Sequence, residues 1–225
     1  MGKAYANRKS SDERPENDFY PTPKGLVYEL INTGELEGYK TILEPACGKN
    51  AIVDILRGYG FDVTAKDLIL GNDFLEDDYT GQKFDCIITN PPFDLWNKFV
   101  EKAKTIDCKK IVFIGKTNYF GSHERNVSGI WNELSDVYVF DRQVEYRTPQ
   151  LDIPNFCVGA LVTGWFVWTK GYKSEPKIHV IDVQKYATLG SVDHFLTQHP
   201  EYDGGATKAR VEAEKLAKKK LKAKD

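Results

Sequence analysis

No apolar run in this chain approaches the ~20 residues that a membrane-crossing helix needs. Residues 1–17 are polar and of mixed charge, unlike a signal or transit peptide, and read as a flexible leader. Metal-ligand spacing is missing too. Cys47, Cys86, Cys108 and Cys157 are scattered, and His123, His179, His194 and His199 form no zinc pattern, so no metal is expected. The cysteines read as reduced and mostly buried, which implies a cytoplasmic chain. An excess of positive charge is also absent. The formal net charge is −2, and residues 19–205 carry 19 basic and 26 acidic side chains. A nucleic-acid partner therefore cannot be argued from net charge and would need a local basic face. Only residues 206–225 are basic, with 8 basic and 3 acidic side chains. Val211, Leu216 and Leu221 interrupt those lysines at loosely helical spacing, which suits a solvated helix first and a phosphate-binding tail second. No internal repeat and no separate second domain is visible.

What is present fits one globular domain. Its 225 residues are 41% hydrophobic and 12% aromatic, enough for a substantial core. Strand-like and helix-like segments alternate. Thr41–Glu44, Phe61–Lys66, Phe84–Thr89 and Lys110–Ile114 read as strands; Ala51–Arg57, Asp94–Ile106 and His123–Leu134 read as helices. This rhythm predicts an α/β fold with a mostly parallel, doubly wound sheet, in which ligands gather at the carboxyl ends of the strands. Val137–Val144 and Phe156–Thr169 follow with no helix between them, which predicts an antiparallel hairpin at the sheet edge. Ile178–Val183 reads as a short strand. The domain is expected over residues 18–183, with a helical extension over 184–225.

The sharpest feature is Asn90-Pro91-Pro92-Phe93, which ends the strand Phe84–Thr89. The prolines fix φ and remove two N–H donors, so the turn is stiff and its carbonyls are free to accept. Asn90 adds a side-chain acceptor, Pro91 a backbone acceptor and Phe93 a flat apolar face. That set suits a planar ring with an exocyclic amine, such as adenine; a plain rigid turn is the bland alternative. The tetrapeptide resembles the (Asp/Asn/Ser)-Pro-Pro-(Tyr/Phe/Trp) motif of the amino-methyltransferases that use S-adenosylmethionine.

Glu44-Pro45-Ala46-Cys47-Gly48-Lys49-Asn50 follows the first strand and opens a helix. Small residues here let a ligand approach the backbone, and the helix start offers free N–H groups. The segment resembles the methionine-binding motif Glu-Pro-Ala-x-Gly-x-Gly of the same enzymes, with Asn50 in place of the last glycine. A phosphate loop is the weaker reading, because Gly48-Lys49 is not followed by Ser or Thr. Asp67 ends the second strand and can accept from both ribose hydroxyls of a nucleoside, or act as a turn or helix cap. Asn72-Asp73-Phe74-Leu75 resembles the family's third motif. There the resemblance implies that Asp73 accepts from the cofactor's adenine amine and that Phe74 packs against its ring; a plain turn is the alternative. Asp18-Phe19-Tyr20-Pro21-Thr22-Pro23 resembles the Tyr-x-Thr-Pro element that closes over the cofactor. It implies Tyr20, Thr22 and Pro23 as cofactor contacts, although Thr22 as helix N-cap with Pro23 at the first helical position is also consistent.

The resemblance covers roughly residues 18–170. Val137–Arg142 and Gly164–Trp168 further resemble small phage-encoded members of the adenine-N6 DNA methyltransferases. It implies a Rossmann-like class I methyltransferase fold, S-adenosylmethionine as cofactor, and methyl transfer to the N6 amine of a flipped adenine in double-stranded DNA. Asn90, Pro91, Pro92 and Phe93 would form the catalytic turn. Lys116, Asn118, Tyr119, Arg125, Arg142 and Arg147 are candidates for phosphate or base contacts, each with a solvated surface charge or polar group as the bland alternative. No insertion is large enough for a recognition domain, so a short site or a specificity-conferring protein partner is expected. The alternatives are methylation of adenine in RNA, methylation of glutamine in a protein, and a catalytically silent DNA- or protein-binding homologue.

Overall fold

The computed structural model describes residues 22–141, 144–145, 155–156 and 162–183. Its helices are α1 (Lys24–Asn32), α2 (Ala51–Gly58), α3 (Trp96–Thr105) and α4 (His123–Ser128). Its strands are β1 (Thr41–Glu44), β2 (Asp62–Ala65), β3 (Lys83–Thr89), β4 (Asp107–Lys116), β5 (Leu134–Phe140), β6 (Val144–Glu145), β7 (Asn155–Phe156), β8 (Thr163–Thr169) and β9 (Lys177–Ile181). Seven strands form one sheet in the order β2-β1-β3-β4-β8-β5-β9, and β6 pairs with β7 separately. Strands β2, β1, β3 and β4 are parallel, and β8 runs antiparallel to both β4 and β5. The chain winds outward from β1 to β2 and then back past β1 to β3. The order therefore reverses between β1 and β3, which opens a crevice at their carboxyl ends.

Both sheet faces are covered, and the residues alternate accordingly. Ile42, Cys86, Ile88, Val112, Ile114, Trp165 and Val167 face the core under α1 and α2. Their neighbours Leu43, Ile87, Ile111, Phe113, Phe166 and Trp168 face the core under α3. A two-residue period with both sets apolar is what a sheet buried on both faces requires. Two glycines permit the closest contacts. A Cβ on Gly115 would lie 2.9 Å from Trp96 Nε1, which donates instead to the Ile114 carbonyl at 2.9 Å. A Cβ on Gly164 would lie 2.4 Å from the Tyr138 carbonyl, so the β8–β5 pairing excludes any side chain there.

Several boundaries differ from the sequence expectation. The helix expected over 123–134 stops at Ser128, because Gly129 takes a left-handed conformation at φ 75°. Leu134 already opens β5. The strand expected over 156–169 is two pieces: Asn155–Phe156 pairs with Val144–Glu145, and only Thr163–Thr169 joins the main sheet. Pro23 stands at the N-cap of α1, one residue earlier in the helix frame than its expected first helical position. The expected antiparallel pair is β5–β8; β9 lies outside it, parallel to β5. Among the described residues no helix is long and apolar enough to cross a membrane. The leader, the extension over 184–225 and Cys157 lie outside the described residues.

Candidate active site

The loop after β1 is built around positive backbone angles. Gly48 has φ 51° and Asn50 has φ 65°. Asn50 occupies the N-cap of α2 without a side-chain capping bond. Its N–H donates to the Cys47 carbonyl at 2.8 Å, and its own carbonyl accepts from Asp54 N–H at 2.9 Å. Asparagine tolerates this left-handed geometry at some cost that glycine does not carry. Asn50→Gly is therefore expected to leave cofactor affinity unchanged or to tighten it. Calorimetry with S-adenosylmethionine checks this; weaker binding would make the Asn50 carboxamide itself a ligand.

Asp67 ties this loop to the end of β2. Its Oδ2 accepts from Gly48 N–H at 2.7 Å and its Oδ1 from Ile69 N–H at 3.0 Å. The second bond caps the short 3-10 turn Leu68–Leu70. That turn exposes three aliphatic side chains, Leu68 at 59%, Ile69 at 63% and Leu70 at 59%. They form an apolar ledge beside the loop. Sequence reasoning passed over it, although three consecutive aliphatics just after a strand-end carboxylate were a visible signal.

Glu44 and Thr89 end the adjacent strands β1 and β3 at the crevice. Glu44 is fully buried, with Oε1 accepting from Ala46 N–H at 3.0 Å. Its Oε2 and the Thr89 hydroxyl are buried side by side, close enough for Thr89 to offset part of the burial effect on the carboxyl but without a well-formed hydrogen bond to any described residue. Burial pushes the Glu44 carboxyl up to about 8, and the nearby Asp67 charge adds to the rise. Glu44 therefore stays protonated in the folded chain up to that pH, but ionises above its ordinary 4.5 when unfolded. Folding takes up a proton within this window, so stability falls as pH rises through it, by at most about 1.4 kcal/mol per pH unit. Glu44→Gln carries no such proton and is expected to lack this slope. Denaturant titrations at about pH 6 and 7.5 check it; equal slopes in both proteins would mean an ordinary Glu44.

Cys47 is buried in the same loop, and burial, with Glu44 adding, pushes its thiol up to about 11. A thiol so held is no nucleophile near neutral pH.

The β3 strand delivers Asn90 to the same edge as Glu44. Asn90, Pro92 and Phe93 are half-buried and Pro91 is buried. Leu95 N–H donates to the Pro92 carbonyl at 3.0 Å, opening the short turn Phe93–Leu95 that leads into α3. Phe93 packs against the core under α1 and α2. Lys116, at the end of β4, places Nζ 4.4 Å from the Phe93 ring centroid. Tyr119 is 7% exposed, and its hydroxyl donates to the Phe93 carbonyl at 3.2 Å. The Arg125 guanidinium lies 4.1 Å from the Tyr119 centroid, and its Nε donates to Asn97 Oδ1 at 2.7 Å. Two of the residues singled out from sequence, Lys116 and Tyr119, thus meet the Asn90–Phe93 turn and Arg125 stands behind Tyr119, while Asn118 is exposed on the 3-10 turn that holds Tyr119.

Asp73 makes a local turn: its Oδ1 accepts from Leu75 N–H at 3.0 Å and its carbonyl from Asp77 N–H at 2.7 Å. Phe74 is buried in the core under α3, 5.0 Å from the Phe99 ring and 5.7 Å from Tyr79. Thr22 is buried ahead of α1. Tyr20, Arg142 and Arg147 lie outside the described residues.

The loop fits a nucleoside cofactor bearing an amino-acid group. It combines a left-handed small-residue turn, the N–H groups of the α2 start and a strand-end carboxylate. No family model matches the sequence, and no curated protein matches it. Solved structures do share the fold. One is the methyltransferase subunit of a type I restriction-modification system from Streptococcus thermophilus. It is 12% identical, with 81% of this chain and 53% of that chain covered and a TM-score of 0.52. Another, from Listeria monocytogenes, is described as a class I S-adenosylmethionine-dependent methyltransferase. It is 13% identical over 82% of this chain and 72% of that one, with a TM-score of 0.51. This chain spans about half the length of the first. The fold is that of the class I S-adenosylmethionine-dependent methyltransferases.

Proposed function

We propose that this chain methylates the N6 amine of adenine in double-stranded DNA, with S-adenosylmethionine as donor, after the base is flipped out of the helix. One observation carries the reading. The stiff turn Asn90–Phe93, with its amide and carbonyl acceptors and its aromatic ring, follows β3 at the same sheet edge where Asp67 accepts from Gly48 N–H of the β1 loop.

In this reading the Gly48–Asn50 loop and the α2 start hold the amino-acid end of the cofactor. Asp67 would hold its ribose, and the exposed Leu68 and Ile69 would offer apolar surface to its ring. Bound there, S-adenosylmethionine would supply an electrophilic methyl group for the N6 lone pair and leave as the neutral thioether, with the surplus amine proton passing to water. The chain's own part is positioning and electrostatics. The Asn90 carboxamide oxygen and the Pro91 carbonyl accept the two amine hydrogens, which draws the nitrogen lone pair out of conjugation with the ring. Phe93 stacks on the base, and Tyr119 braces the Phe93 carbonyl. A base inside a duplex cannot reach this edge, hence the flipping step. The proposal extends to a specificity-conferring protein partner, because no described segment forms a separate recognition domain.

The test is incubation with methyl-labelled S-adenosylmethionine and, separately, duplex DNA, RNA and protein acceptors, followed by mass spectrometry of the digested products. N6-methyldeoxyadenosine from the duplex is the expected result. Label in RNA or on glutamine alone would reassign the acceptor. No transfer to any acceptor, with no heat of cofactor binding, would make the chain a silent homologue.

A further inference from the structure

Strand β9 closes the main sheet on one side, and among the described residues it pairs with β5 alone. Its outer edge is a row of backbone groups open to another strand. The register says which ones. Ile181 pairs with Phe140, and the Ile181 carbonyl accepts from Asp141 N–H at 3.0 Å. In a parallel ladder, alternate residues turn both of their backbone groups to the same side. His179 and Ile181 therefore face β5, while Ile178 and Val180 turn their N–H and C=O groups outward.

The same two residues carry side chains that the fold leaves in water. Ile178 is 69% exposed and Val180 72%. They stand in register with Val137 and Val139, on the sheet face that α3 covers further in. The opposite face of β9 is closed. Ile181 and Val183 are buried in the core under α1 and α2. The His179 ring stacks on Tyr138 at 4.5 Å, and its Nε2 lies 2.9 Å from Asp136 Oδ1. One edge thus presents bare aliphatics and outward backbone groups on the same residues. Pro176 and Lys177 guard only the start of the strand.

We infer that β9 is a dimerisation edge: two copies of this chain pair antiparallel through it, about a two-fold axis at His179. The edge is its own complement. In that register Ile178 exchanges both backbone bonds with Val180 of the second copy, and Val180 does so with Ile178 of the second copy. An axis perpendicular to the sheet keeps each face on its own side, so the four aliphatics form one row on the α3 side. Any other partner must supply a strand of the same alternation, whereas a second copy brings it by symmetry. A slip of one residue would set outward groups against residues that face β5, and would break the bonds and the apolar row together. Two seven-stranded sheets then join into one. A contact made by one five-residue strand falls below the area of a standard stable interface, so the dimer forms as concentration rises and is not permanent. The antiparallel copies open their strand ends on opposite edges of the joined sheet, so neither completes the other's site. The inference does not rest on the acceptor proposed above.

The test is sedimentation velocity of the full chain from roughly 1 µM to roughly 1 mM, a span that covers the affinities of small interfaces. The expected result is a monomer–dimer equilibrium with the dimer growing at the upper end. Val180→Pro removes an N–H that β5 does not use, so thermal melting of the dilute chain should stay near that of the wild type. By symmetry it deletes two bonds between the copies, and dimerisation should weaken by about thirtyfold. Ile178→Lys keeps the backbone intact and should suppress the dimer by breaking the apolar row; it carries the test if the proline variant fails to fold. Hydrogen exchange at the Ile178 and Val180 N–H groups should slow as the wild-type chain is concentrated. A monomer across the whole range overturns the inference, and so does a dimer that survives both substitutions. Slow exchange at these two groups in the dilute monomer also overturns it, because another part of the chain would then occupy the edge. None of these readouts uses cofactor or acceptor, so the proposed function stands or falls separately.

Discussion

Asn90→Ala is expected to lower turnover on an adenine acceptor by a hundredfold or more, on the order of the loss when one positioned transition-state contact is removed. Cofactor affinity should stay nearly intact. Asn90 follows β3, whereas the loop suited to the cofactor follows β1 and is held by Gly48, Asn50 and Asp67. The carboxamide's contribution is specific to the transition state, where the amine gains positive charge and its hydrogens become better donors. The prolines that follow keep the turn stiff without it, so the backbone should survive the substitution. Single-turnover kinetics with a saturating acceptor, beside calorimetry with S-adenosylmethionine, checks the division. Equal losses in turnover and in cofactor binding would sink the assignment, because Asn90 would then be holding the cofactor loop.

Asp67→Ala is expected to do the reverse and raise the Kd for S-adenosylmethionine. A carboxylate's hydrogen bonds are charge-assisted, and losing them should cost about 1.5–3 kcal/mol, roughly a ten- to 150-fold weaker Kd. The structure adds a reason beyond ribose recognition. Asp67 holds Gly48 N–H at 2.7 Å and Ile69 N–H at 3.0 Å, so one side chain sets both the small-residue loop and the aliphatic ledge. Each oxygen accepts one N–H and retains a second acceptor direction for a hydroxyl. Calorimetry gives the Kd, and thermal melting separates affinity from folding. A lower melting temperature with an unchanged Kd would reduce Asp67 to a cap of its own turn, the bland reading that its bond to Ile69 already realises.

Much of the architecture was legible because its signals are local. Thr41–Glu44 and Ala51–Arg57 appear in the structure at those positions or within one residue, because a strand and an amphipathic helix announce themselves by the period of their apolar residues. The convergence of Glu44, Asp67 and Asn90 on one edge followed from a βαβ rhythm alone, since parallel strands bring their carboxyl ends together. The left-handed backbone at Asn50 was legible as well, from a glycine position filled by the side chain that best tolerates it.

Other features depended on partners far away in the chain. Gly129 did not look like a helix end until Ile130 and Leu134 were seen buried in the core under α3, a burial that a helix continued to Leu134 would have to rearrange. The insertion of β8 between β4 and β5 required the bare backbone of Gly164 against Tyr138, which no local pattern records. Tyr119 read as a surface contact from its loop, yet it is buried and braces the Phe93 carbonyl. The sequence by itself determined the element order, the strand ends that carry chemistry and the residue types found there, because turn chemistry and hydrophobic period act over a few residues. Only the tertiary structure decided that Glu44, beside Thr89, is a buried acid whose carboxyl is pushed up by burial, and that the Lys116 ammonium rests on Phe93. Burial and ring contacts are set by which strands become neighbours, and that choice belongs to the whole packed sheet.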